Sequence, residues 1–224
     1  MLACAVLAAL AIAPCASATI FLHEDFELSM VSGWSRIGQI NGVWGPSLWH
    51  YEDYRYVSGD RSMAYNTGSP AYNYNIGHNW GLVASPWVDL SSATDLQLDF
   101  QSWLHVDGDR MFGARERAGT ASVVYQIQGD SWNELSVDAH SVPERQWNLM
   151  HADLGWLAGE TLPVKIGFLF DSVNPIENIQ EGWYIDDVVL YDGSTPPVPE
   201  PSTWLLLGTG LVGVGAACRR RLLG

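Results

Sequence analysis

The chain has 224 residues, enough for one sizeable β domain with tails. Only 16% of its residues are charged, 12% are aromatic with eleven Trp, and Gly numbers 22, a balance that fits an all-β extracellular module rather than a helical cytosolic enzyme. A formal net charge of −14 repels phosphate backbones and so excludes nucleic acid as a partner, while remaining compatible with divalent cations and neutral sugars.

Residues 1–18 read as an export signal. Leu2 to Ala13 is apolar, and Ala16-Ser17-Ala18 is a cleavage pattern of small residues. Of the three cysteines, Cys4 and Cys15 leave with the signal and Cys218 lies in the tail. The exported body therefore has no disulfide, and its stability must come from its core and from any bound metal.

The body, residues 19–192, reads as a succession of short strands. Ile20 to Glu27 is the first, and Val43-Trp44 and Leu48-Trp49-His50-Tyr51 supply more around Gly45-Pro46. Val57 to Ser62 is a glycine turn that leads into Met63-Ala64-Tyr65-Asn66, and Thr67 to Asn79 is a long surface loop rich in Gly, Asn and Tyr. Trp80 to Leu90 is a strand, and Leu96 to Leu104 alternates with Leu96, Leu98, Phe100 and Ser102 inward. A polar loop from His105 to Gly119 follows, then strands at Ala121–Gln128, from Trp132, at Trp147–Leu154 and at Val164–Asp171. About ten short strands with regular turn signals and no convincing helix predict an antiparallel β-sandwich.

The last strand, Gly182-Trp183-Tyr184-Ile185-Asp186-Asp187-Val188-Val189-Leu190-Tyr191, is the most informative stretch. At period two, Trp183, Ile185, Asp187, Val189 and Tyr191 share one face and Tyr184, Asp186, Val188 and Leu190 the other. Both faces are largely apolar, so this is a central strand. One of the two adjacent aspartates must then face inward, which is costly unless it is paired, hydrogen-bonded or bound to a metal.

Residues 193–202 form a Pro-rich linker, and 203–224 carry an apolar stretch from Trp204 to Cys218 followed by Arg219, Arg220 and Arg221. As a helix of about fifteen residues that stretch reaches about 22 Å, short of the roughly 30 Å hydrocarbon core, yet long enough to stop translocation with the arginines on the cytoplasmic side. The sequence Val198-Pro199-Glu200-Pro201-Ser202-Thr203, a short apolar helix and an arginine cluster resemble a PEP-CTERM sorting signal. The resemblance implies a Gram-negative bacterium in which the chain passes through an inner-membrane intermediate. An exosortase then cuts near Pro199, Glu200 and Pro201 and sends the body to the cell surface or extracellular matrix, in company with exopolysaccharide.

The body has its own resemblance. Phe26-Glu27, Ser58-Gly59-Asp60-x-Ser62, Ser85-Pro86-x-x-Asp89-Leu90, Ile166-x-Phe168-x-Phe170-Asp171 and Gly182-Trp183-Tyr184-Ile185-Asp186-Asp187-Val188 resemble jelly-roll domains of the MAM and choice-of-anchor type. The domain beside immune-inhibitor-type metalloproteases is similar. The resemblance implies a structural Ca²⁺ held by Glu27 and Asp187. Asp60, placed in the glycine turn, is a candidate third ligand from the sequence itself; Ca²⁺ takes six to eight oxygens, so backbone carbonyls would complete the shell. The Asp107-Gly108-Asp109 loop is a lesser cation candidate.

Aromatic rings stack on the C–H faces of sugars, and Trp44, Trp49, Tyr54, Tyr72 and Tyr74 crowd the first half of the chain, several in expected loops. They are the candidate glycan-binding residues, although Trp and Tyr are equally at home in a β core. No His-Glu-x-x-His and no Gly-x-Ser-x-Gly is present, and the six histidines are widely scattered, so no catalytic residue is assigned. The expectation is a calcium-stabilised, non-catalytic module that binds or organises exopolysaccharide in a biofilm matrix. A polysaccharide-modifying hydrolase or lyase and a purely structural matrix protein remain as alternatives.

Overall fold

A computed structural model describes residues 18–28, 33–106, 120–173, 175 and 178–193. The signal segment, the Asp107–Asp109 loop and the sorting tail lie outside the described residues. Among those described, no helix is long and apolar enough to cross a membrane.

Among the described residues, twelve strands form two antiparallel sheets. Sheet A places β10 (Trp147–Asp153), β7 (Leu96–His105), β12 (Gly182–Asp192), β5 (Ser62–Tyr65) and β4 (Trp49–Glu52) side by side, and β1 (Thr19–Glu24) also pairs with β12. Sheet B runs β3 (Val43–Gly45), β2 (Ser35–Ile40), β6 (Asn79–Ala84), β11 (Val164–Asp171), β8 (Thr120–Ile127) and β9 (Asn133–Asp138). The only helical element among the described residues is a 3₁₀ turn at Gly155–Leu157. The body is the β-sandwich the alternating pattern predicts.

The core between the sheets follows that alternation. Leu96, Leu98, Phe100 and Leu104 of β7 face Val164, Ile166, Phe168 and Phe170 of β11, all buried. Ser102 also points inward, where its Oγ accepts the indole N–H of Trp183 at 2.9 Å. Phe168 sits at the centre, 5.1 Å from Phe100, 5.7 Å from Trp183 and 6.4 Å from Trp34 between ring centroids. Each fully buried ring of this kind stabilises the fold by roughly 1.5–3 kcal/mol.

β12 is central. β7 pairs along its length on one flank, and β5 and then β1 pair on the other. Its alternation is not continuous, however. The β7 register passes from Asp186 opposite Gln101 to Val189 opposite Asp99, a β-bulge, and Asp187 adopts φ +47°. The extra residue reverses which side chains face in. Trp183 and Ile185 point into the core before the bulge, and Val188 and Leu190 after it. The expected single face of Trp183, Ile185, Asp187, Val189 and Tyr191 is thus divided, and Asp187 leaves the core face.

Two further differences matter. The first strand ends at Glu24, after which Phe26 takes φ +55° and buries its ring, leaving Glu27 outside the sheet. β2 was not expected from the sequence. Its exposed Ile37 and buried Gly38 invert the usual apolar-in pattern, so periodicity gives no strand signal there.

Candidate functional site

Two constellations bring the sequence-derived residues together. The first is the bulge. Asp186 is fully buried, and its Oδ2 accepts the backbone N–H of Val57 at 2.8 Å and of Ser58 at 3.4 Å, while its Oδ1 accepts that of Asp187. Asp187 Oδ1 accepts the Ser58 hydroxyl at 2.6 Å. The same turn reaches Glu27, whose carboxylate accepts the N–H groups of Asp60 and Arg61 at 2.9 Å. Gly59 makes this possible: it has φ +58°, and a Cβ there would fall 2.1 Å from Glu27 Cδ.

Glu27, Asp60 and Asp187 therefore do converge on one turn. Asp60 meets Glu27 through its backbone N–H, and the buried carboxylate is Asp186, which sequence reasoning left out of the ligand set. Burial pushes the Asp186 carboxyl up to about 7; the charge of Asp187 adds to the rise, and the N–H donors of Val57, Asp187 and Ser58 oppose it. Oxygen is the only donor chemistry here, and negative charge accumulates without a cationic side chain among these contacts, which suits a hard cation. Among the described residues, no group of three or more His, Cys, Asp or Glu is gathered closely enough to hold a metal. Backbone carbonyls would have to supply much of a shell.

The second constellation covers the outward face of sheet A. Strand register aligns His50, Ala64, Tyr184, Trp103 and Trp147 in one row across β4, β5, β12, β7 and β10. Glu52 and Ser62 are paired in the next row, as are Asp186, Gln101 and Leu149. This outward face is densely hydrogen-bonded. Asn66 Nδ2 donates to the Tyr184 hydroxyl at 2.9 Å and to the Glu181 carbonyl at 3.2 Å. Burial pushes the Tyr184 phenol up, and the nearby Glu181 charge adds to it. Trp103 packs edge-on against Tyr184 with centroids 5.2 Å apart.

Over this row lies Arg55. Its Nε and Nη2 donate to the two oxygens of Glu181 at 2.5 and 2.9 Å, a bidentate pair that raises the guanidinium pKa. The guanidinium carbon stands 4.1 Å from the Trp103 centroid and 4.8 Å from that of Tyr54. Tyr54 in turn stacks on Tyr72, centroids 4.3 Å apart and planes at 19°. Tyr54 is 48% exposed and Tyr72 half-buried, so the pair forms an open aromatic rim to the polar face. At that rim His50 Nε2 lies 3.1 Å from Glu52 Oε2.

The five candidate glycan-binding residues thus separate. Tyr54 and Tyr72 form the stacked rim. Trp44 is 65% exposed, yet it lies on β3 of sheet B against Trp80. Trp49 and Tyr74 are corrections. Trp49 is buried against Tyr65 and Trp183, with its indole N–H on the Gly81 carbonyl, and Tyr74 is buried against Phe170. Neither ring offers a face to a ligand. Arg55, Asn66, Trp103, Glu181 and Tyr184 were missed. The signal for Arg55 was its Tyr54-Arg55-Tyr56 setting in a chain with few cations.

Comparison with known proteins adds the following. Residues 197–221 match the PEP-CTERM protein-sorting motif, which marks an exported protein processed by exosortase. Bacillopeptidase F of Bacillus subtilis (strain 168) is 30% identical over 183 residues, which are 80% of this chain and 11% of that protein. The chain thus spans about a tenth of that relative's length. Among solved structures, it is similar to a xylan-binding domain of carbohydrate-binding module family 22, at 14% identity and TM-score 0.46 over 82% of this chain and 99% of that one. A C-terminal family 22 module of Clostridium thermocellum is similar at 14% identity and TM-score 0.47 over the same shares.

Proposed function

We propose that this exported protein is a non-catalytic module that binds a neutral extracellular polysaccharide on the outward face of sheet A and so organises a biofilm matrix. The observation that carries the reading is the exposed Tyr54–Tyr72 stack beside the Arg55–Glu181 pair. The rings offer a stacking surface, and the polar row beneath offers donors and acceptors to sugar hydroxyls. Arg55 is matched by Glu181 and Glu52 lies 3.1 Å from His50, so both carboxylates already have partners within the chain and an uncharged ligand need not supply one. The family 22 relative described as xylan-binding accords with this class of ligand. In a Gram-negative producer, the tail would hold the chain in the inner membrane until exosortase releases the body to the surface or matrix.

Calcium belongs to the same proposal as a structural ion at the bulge, held by Glu27, Asp186 and Asp187 with backbone carbonyls near Asp60. Bound there, it would neutralise the buried Asp186 carboxylate. The test of both parts is retention of the exported protein on insoluble xylan and on exopolysaccharide of the producing strain, with calcium and then with chelator. Tyr54→Ala/Tyr72→Ala should cut retention at least tenfold with unchanged far-ultraviolet circular dichroism. Equal retention of that variant overturns the sheet A site. A melting temperature that chelator leaves unchanged overturns the calcium site.

One observation favours the hydrolase or lyase reading. His151 Nδ1 lies 2.6 Å from Asp99 Oδ1, and the Tyr191 hydroxyl donates to Asp99 Oδ2 at 3.2 Å. His151 borders a cleft of ≈ 320 Å³ that is also lined by Asp153, Glu134 and Trp156. Release of reducing ends from soluble polysaccharide, lost in His151→Ala, would establish it.

A further inference from the structure

The outward face of sheet B has a separate chemistry. Register aligns Ile37, Leu82, Leu169 and Ser122 in one row, and Ser35, Ala84, Gly167 and Val124 in the next. A third row runs Trp44, Gln39, Trp80 and Asp171. Leu82, Ala84 and Val124 cluster with Trp80, Trp132 and Leu169 apart from the main core, so this apolar layer lies outside the sandwich.

Two features make it a platform. Trp132 rests on Gly167, where a Cβ would come within 3.1 Å of the indole, so glycine lets the ring lie closest to the sheet. Trp44 stands edge-on to Trp80 at 5.3 Å and 84°, 65% exposed, and Ile37 beside it is 45% exposed. The two inner rows carry no charge on β2, β6, β11 and β8, and end on β9 at Asp138, opposite Ser122, and Glu134, opposite Val124. The charges at the margin are engaged: Asp171 with His78 at 2.9 Å, Glu134 with the Ser122 hydroxyl, and Lys165 over Trp87. Amide side chains remain at the edges, with Gln39 Oε1 accepting the Trp80 indole N–H. On a chain of net charge −14, a face that is apolar and uncharged at its centre, with amides and engaged charges at its margin, complements an occupant with apolar C–H faces and hydroxyls but no charge.

We propose that this face is a second polysaccharide-binding surface and that one molecule bridges two neutral polymer strands. The main core separates the outward faces of the two sheets, so sites on them point away from each other. The bridging part rests on the sheet A reading.

The test uses the exported protein with soluble xylan and mixed-linkage β-glucan as probes. Titration with a short oligosaccharide should give two sites, and long polymer should become viscous or turbid on adding protein. Trp44→Ala/Ile37→Thr should leave one site and abolish cross-linking while at least half of the retention on insoluble polymer persists. Tyr54→Ala/Tyr72→Ala should also leave one site and abolish cross-linking, with the same at least tenfold loss of retention on insoluble polymer, and the combined variant should not bind. A single site lost only with Tyr54 and Tyr72 overturns the second surface and leaves the first reading standing. Binding lost only with Trp44 and Ile37 overturns the sheet A site and the bridge but keeps the second surface. Glycan-independent dimerisation abolished by Trp44→Ala assigns the face to a second copy and overturns the proposal. No binding by folded wild-type protein overturns both.

Discussion

On sheet A the outward residues are tied into one hydrogen-bonded network, with Asn66 on Tyr184, Arg55 on Glu181 and Asp186 on the Val57 and Ser58 amides. On sheet B the outward residues Leu82, Ala84, Val124 and Leu169 are held together by packing under Trp132. Both faces started as the same pleated surface. The difference shows how loops decide what a sheet face becomes. The turn at Val57–Arg61 folds over sheet A and makes its buried polar groups affordable, whereas the middle rows of sheet B stay apolar. A polar network is sensitive to a single missing partner; an apolar layer is sensitive to volume.

The largest expected effect strikes the strand on which the polar face hangs. Gly182 has φ +83°, and a Cβ there would lie 2.1 Å from the Tyr65 carbonyl oxygen. Gly182→Ala should lower stability by about 3 kcal/mol or more in chemical denaturation, because both strain and a backbone clash are added. A loss below 1 kcal/mol would show that β12 and β5 can separate without cost.

Next comes the volume test on the other face. At Gly167 a Cβ would meet Leu82 Cδ1 at 2.8 Å and Trp132 and Val124 at 3.1 Å. Gly167→Ala should cost about 1–3 kcal/mol and shift tryptophan fluorescence as Trp132 is lifted. An unchanged spectrum would mean the indole does not rest there.

The pH dependence tests Asp186 on sheet A. Burial raises the Asp186 carboxyl from an ordinary 3.8 to about 7 in the folded chain. Its stabilising contribution is therefore complete below 3.8 and lost as pH rises through about 7. In chelator, wild-type melting temperature should fall across that window relative to Asp186→Asn, and added calcium should reduce the difference. Parallel curves would place no titration at Asp186.

The smallest effect is Trp44→Ala. With the ring 65% exposed, stability should change by no more than about 0.5 kcal/mol. A larger loss would make Trp44 part of the packing rather than an open surface.

The alternating strands β7 and β11 were legible because their inward positions are apolar except for Ser102. The β12 bulge was not, because an extra residue shows only against the partner register, in the step from Gln101 to Asp99. That step decided which aspartate is buried, so the pair was legible as a conflict but not its resolution. That Glu27, the Gly59 turn and Asp187 lie together was expected through resemblance rather than spacing, and Asp186 was not among the expected residues. Tyr74 misled because its loop composition is polar, while the chain there dips to set one ring on Phe170. The Arg55–Glu181 pair joins positions far apart in the chain, and pairing at that range leaves no local pattern.

Thr19 of β1 lies opposite Asp192 of β12, so the first strand of the body to be synthesised completes its ladder only with the last. Loop-closure entropy delays contacts of such sequence separation. The β1–β12 ladder can therefore form only when both ends of the body are present, so a body truncated before β12 would leave β1 without a partner strand.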